Sequence, residues 1–261
     1  MTVHVTREIP LPGPVPRFEV PGWRERYGVM AGITGRGDAG GTGFTLGLWG
    51  EEPTGEVQGR WRSLRAATPG FTSFVLGSQV HGTAVRSAPE AEGWLIVDGT
   101  DGHVTNSAGT LLLVTVADCI PLYLLDPVHQ AIALLHAGWR GTSGEILRMG
   151  VETMREAFGS VPGDLVMHCG VGICGPCYEV GREVMEGCRE AVLGEGPWHL
   201  DLRSVQQEQA RRLGIRTIST SQWCSSHDRA SFFSHRASFG RDGRMVAYLG
   251  YPRAQPSLIA D

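Results

Sequence analysis

The chain has 261 residues, 41% of them hydrophobic, enough to bury a substantial core without disulfide staples or an obligate partner. A formal net charge of −4, with no dense run of Lys and Arg, leaves no electrostatic footprint for wrapping a nucleic acid or lying on an anionic membrane. The N-terminal segment has no apolar run of signal-peptide length and no later stretch approaches a membrane span, so the expectation is a cytoplasmic single domain over residues 1–261, monomeric or weakly self-associating.

In chain order, the first marked feature is a Gly-rich stretch, residues 31–44, which reads as a surface loop because so many glycines cannot sustain a helix interior. It lacks the Lys-Ser/Thr ending of a phosphate-binding loop, and no strong strand precedes it. From residue 71 onward, the core motifs run to residue 250. FTSFVLGSQV, TLLLVTVA, PLYLLD and QAIALLHA are short apolar runs bounded by turn formers, and they read as buried strands. TSGEILRMGVETMREAFG places Ile146, Leu147, Val151, Met154 and Phe158 on one helical face, opening near Thr142 and stopping at Gly159. EVGREVMEGCREAVL and LRSVQQEQARRLG read as two further helices and RMVAYLGY as a last strand. Strands and helices mix without regular alternation, which predicts an α+β fold of layered mixed β-sheets flanked by helices.

The chemistry concentrates in VTVADCIPLYLLDPVHQAIALLHAGWRG, where two strands flank a DPVHQ turn. A turn centred near Val128 pairs residues near Pro121 with residues near His136, which delivers Cys119 and His136 to the same end of a sheet. A third strand ends at His81. One thiolate and two imidazoles suit zinc, and three protein ligands leave a position for water. The spacing is not that of a zinc finger, so two core histidines and a buried thiol remain the alternative from residue types alone. Of the other cysteines, Cys169, Cys174, Cys177, Cys188 and Cys224, only Cys174 and Cys177 form a C-x-x-C, read as packing because no second pair accompanies it. His103, His129 and His227 fall in loops and His168 beside a strand.

QVHG at 79–82, TVADCIPLYLLDP at 115–127, HAGWRG at 136–141, CYEVGREV at 177–184 and WCSSHDRASFFSHR at 223–236 with GRM at 243–245 occur in that order. Together they resemble the signature segments of the family called multicopper polyphenol oxidase, laccase-domain or purine nucleoside phosphorylase-type proteins, which includes peptidoglycan editing factors. The resemblance implies zinc ligation by His81, Cys119 and His136 and phosphorolysis of purine nucleosides, methylthioadenosine among them, with adenosine deamination. Gln79, Arg140 and Arg236, which lie in these segments, are candidate substrate-binding residues. Asp118 is a candidate acid or base, Arg236 and the helix start at Gly141–Thr142 are candidates for holding phosphate, and Asp101 matches a family Asp that a turn-forming role explains equally well. Gly47, in TLGLW, stands where the family usually carries an Asn, and the usual SYRR-like stretch is SHRA at 234–237. Alternative readings are a copper-dependent polyphenol oxidase, a metal-free Cys119–His136 thiol hydrolase and a peptidoglycan-precursor editing factor.

Overall fold

The computed structural model describes residues 3–37, 43–48, 50 and 52–254, so part of the Gly-rich stretch, residues 38–42, lies outside the described residues. Among the described residues, two seven-stranded mixed sheets stack face to face. The first contains Val166–Cys169, Ile120–Asp126, Ala131–Ala137 and Gly102–Thr105 as adjacent strands; the second contains Met30–Thr34, Met245–Gly250, Thr110–Val116 and Ser73–Ser78. Both sheets are covered on both faces, which is why their central strands are apolar throughout rather than alternating. Leu122, Leu124, Ala133 and Leu135 face outward onto the helices Ile146–Phe158 and Leu202–Leu213, whereas Tyr123, Leu125, Ile132 and Leu134 face inward onto Val75, Leu112, Val114 and Ala247 of the other sheet. The helix Thr54–Ala66 covers the far side of the second sheet with Val57, Trp61 and Leu64. The result is an α+β fold of four layers, helix, sheet, sheet and helix.

The expected hairpin is present with Pro121 paired to His136. Its turn is held by Asp126, whose Oδ1 accepts the backbone N–H of Val128 at 2.9 Å and of His129 at 3.1 Å. Several expectations need correction. Residues 31–34 are not loop but part of a fully buried strand flanked by two others. Gly32 is there for closeness rather than freedom, since a Cβ would sit 2.5 Å from the Tyr248 hydroxyl oxygen. The helix expected from Thr142 is broken: Trp139–Ser143 forms one short helix, and Ile146–Phe158 begins only after Glu145 adopts a left-handed φ of 61°. The helix expected over 179–193 is confined to Arg182–Gly187. His103 lies in the buried strand Gly102–Thr105, and His168 within a strand, bonded to Ser219 and Glu8.

Candidate metal centre and active site

Side-chain alternation carries His136 to the inward face of Ala131–Ala137, the face of Ile132 and Leu134, near the C-terminal end of the strand. His81 reaches the same point from the opposite sheet, three residues beyond Ser73–Ser78. Cys119 lies just before Ile120–Asp126. The donor atoms of His81, Cys119 and His136 all lie within 4.8 Å of one another. One of these positions, and the residue preceding another, rest on unusual backbone: His81 has φ 58° and Asp118, next to Cys119, has φ 88°, left-handed values costly for residues with a Cβ and held only where surrounding bonds enforce them.

Asp101 enforces the first. This fully buried carboxylate accepts the backbone N–H of Val80, His81 and Gly82 at 3.2, 3.0 and 2.8 Å, and its Oδ1 lies 2.8 Å from His136 Nδ1. One side chain therefore sets both the loop that presents His81 and the ring orientation of His136, leaving His136 Nε2 for a ligand. Burial opposes ionisation of Asp101, but His136 and the three backbone donors outweigh it and hold the carboxyl below its ordinary value. Burial likewise opposes charge on Cys119 and His136. Their mutual attraction, with His81 beside the thiol and Asp101 behind the imidazole, prevails, so Cys119 falls to about 6 and His136 rises to about 9. Gly138 opens space here, because a Cβ on it would lie 3.0 Å from Cys119 Sγ and 3.4 Å from His81 Cδ2.

Asp118 precedes Cys119 and bonds elsewhere. Its Oδ1 accepts the Ser225 hydroxyl at 2.6 Å and its Oδ2 the backbone N–H of Arg236 at 2.6 Å, so both oxygens are engaged by protein. Arg236 is exposed, donates from Nη1 to the Glu179 carbonyl at 2.6 Å and stacks 4.9 Å over the Tyr178 ring. Burial and the nearby Cys119 charge push Tyr178 up to about 12, with Arg236 opposing. Arg140 is exposed in the helix Trp139–Ser143, with its guanidinium 4.3 Å over the Trp139 ring. Gln79 is bonded to the neighbouring strand. Its Oε1 accepts the Thr115 N–H at 2.7 Å and its Nε2 donates to the Thr115 carbonyl at 2.9 Å, so the amide clips two strand ends together. Thr115 also lines a cavity of about 890 Å³ with Thr45, Gly47, Glu52, Glu56 and Arg244. A Cβ at Gly47 would lie 3.3 Å from Arg244 Cγ, so the Asn usual at this position requires Arg244 to shift.

The signature segments, their placement around these three donors and the two-sheet architecture agree with comparison to known proteins. Residues 33–251 match the model of the family described as multi-copper polyphenol oxidoreductase laccase. The chain belongs to this family. It is 39% identical over 202 residues to a Deinococcus radiodurans protein named purine nucleoside phosphorylase, covering 74% of this chain and 77% of that one. It is 34% identical over 160 residues to a protein from an unknown prokaryotic organism named adenosine deaminase RL5, covering 57% of this chain and 61% of the other. The crystal structure of YlmD from Geobacillus stearothermophilus superposes with a TM-score of 0.85 at 29% identity, covering 95% of this chain and all, 100%, of that one. Among the described residues no helix is long and apolar enough to cross a membrane.

Proposed function

We propose that the chain is a zinc-dependent purine nucleoside phosphorylase, active also on methylthioadenosine, with an accompanying adenosine deaminase activity, and that His81, Cys119 and His136 hold the metal. The observation that carries this reading is the convergence of one low-pKa thiol and two imidazoles, oriented by the buried Asp101, in a chain related to enzymes named for both activities. The donor set fits zinc: a thiolate and two imidazoles are borderline-soft ligands, and three of them leave a fourth position open. Copper-oxidase chemistry needs several more imidazoles close together, and neither metal-competent cluster among the described residues holds more than two.

Bound zinc supplies Lewis-acid polarisation and a water nucleophile at neutral pH, the chemistry that deamination at the amino-bearing carbon of adenine requires. The remaining work falls to the chain. Asp101 fixes the His136 tautomer, and Asp118 holds the segment that carries Arg236 beside Cys119. Arg236, steadied by Glu179 and Tyr178, has donors left for the phosphate dianion that attacks the anomeric carbon, and Arg140, exposed four residues after His136, offers a second guanidinium. The test is product analysis on zinc-loaded protein given adenosine. Adenine should appear only with phosphate present, and ammonia without it. Absence of both products refutes the proposal and leaves precursor editing as the reading to pursue.

A further inference from the structure

A second cluster lies outside the site described above. Val166–Cys169 and Thr217–Ser221 are adjacent parallel strands, so the loops leaving their C-terminal ends run side by side. They stay joined beyond the strands by a parallel bridge between Gly172 and Cys224. The first loop carries Cys174 and Cys177, the second Cys224 and His227. In sequence this is C-x2-C followed, after a long insertion, by C-x2-H, the spacing of a structural zinc site. The four donor atoms lie within 4.8 Å of one another, and Cys174 Sγ is 3.7 Å from His227 Nδ1. Around one tetrahedral zinc with ordinary bond lengths, neighbouring donors stand about 3.5–3.8 Å apart.

We propose that Cys174, Cys177, Cys224 and His227 form a second, structural zinc site, closed by four protein ligands and separate from the His81–Cys119–His136 centre. The surroundings suit metal-bound thiolates. The Cys174 backbone N–H donates to Cys224 Sγ at 3.3 Å, and all six cysteines of the chain are free. The loop bearing His227 is folded back by paired bonds: Cys224 N–H to Asp228 Oδ2 at 2.9 Å and Asp228 N–H to the Cys224 carbonyl at 2.8 Å. Three thiolates and one imidazole with no open position mark a site that staples loops rather than one that performs chemistry. What it staples is the wall of the active site. Ile173 N–H bonds the Asp118 carbonyl at 2.9 Å, and Ser225, next to Cys224, bonds the Asp118 carboxylate. The second zinc thus holds in register the loops that position Asp118, the neighbour of Cys119.

The test is metal stoichiometry of the full chain after reconstitution with zinc and dialysis. Cys177→Ser and His227→Ala, the latter an exposed position, should each lose one zinc per chain relative to the unmodified protein. Cys119→Ser should lose a different equivalent, and cobalt loaded into that variant should show the intense thiolate charge-transfer band of a three-sulfur tetrahedral site. If Cys177→Ser and His227→Ala keep the full zinc content and Cys119→Ser gives no such cobalt band, the second site is refuted. A mass showing a Cys174–Cys177 disulfide in the native protein overturns it equally. If instead only Cys119→Ser leaves the zinc content unchanged, the second site stands and the three-ligand centre fails.

Discussion

Asp101→Asn perturbs the candidate centre through a side chain of nearly the same size and shape. In the native chain Oδ1 serves His136 Nδ1 and the His81 N–H, while Oδ2 serves the Val80 and Gly82 N–H groups. An Asn keeps one acceptor oxygen and turns an NH₂ group toward two of these donors, whichever way the amide is placed. Two bonds to an ionised acceptor are lost, at about 1.5–3 kcal/mol each, and the remaining two lose their charge assistance. Relaxation of the loop reduces the sum, so a destabilisation of about 3 kcal/mol is expected, equivalent to a fall in Tm of roughly 6–12 °C for a chain of this size. With His81 no longer held at its left-handed φ and His136 free to flip, zinc affinity should fall about 10–100-fold. Competition against a chromophoric chelator and calorimetric melting give the two numbers. A variant whose zinc affinity stays within about threefold and whose melting is unchanged refutes the positioning role assigned to this carboxylate.

Gly138→Ala places a methyl 3.0 Å from Cys119 Sγ, so zinc affinity should drop about tenfold with far-UV circular dichroism unchanged; native affinity would show that the thiolate has room to spare. Zinc must displace the proton on His136 below about pH 9 and that on Cys119 below about pH 6, since the two groups bind metal only as neutral imidazole and thiolate. Apparent affinity should therefore rise about tenfold per pH unit between these limits and more steeply below them, and a flat profile from pH 6 to 8 contradicts the assignment. Asp118→Asn can keep an oxygen on the Arg236 N–H and offer its amide to the Ser225 hydroxyl, so a positioning role predicts activity within about tenfold of native at all pH values. A loss of about 10²–10⁴-fold with a changed pH profile would instead make Asp118 an acid or base.

The sequence carried local information well and long-range information poorly. The DPVHQ turn fixes the hairpin register because Asp126 captures its own turn N–H groups, and that register alone brings Cys119 and His136 to one end of a sheet. That His81 arrives from the opposite sheet was not legible, since nothing local tells which sheet Ser73–Ser78 joins. Small residues misled at Met30–Thr34, where Gly32 signals tight packing against Tyr248 rather than a loop. The helix break at Glu145 is a tertiary effect on a segment whose periodicity is otherwise helical. For the second cluster the signal was present: Cys224 and His227 repeat the two-residue gap of Cys174 and Cys177, with an imidazole in place of the second thiol.

The most direct test of the central claim is Cys119→Ser, measured for zinc content and for phosphate-dependent release of base from adenosine on the same preparation. A hydroxyl is a far poorer zinc ligand than a thiolate, so the zinc equivalent assigned to His81, Cys119 and His136 should be lost in step with turnover, while the fold persists. A Cys119→Ser protein that keeps its full zinc complement yet has no activity would make Cys119 a nucleophile and contradict the metal-centred account.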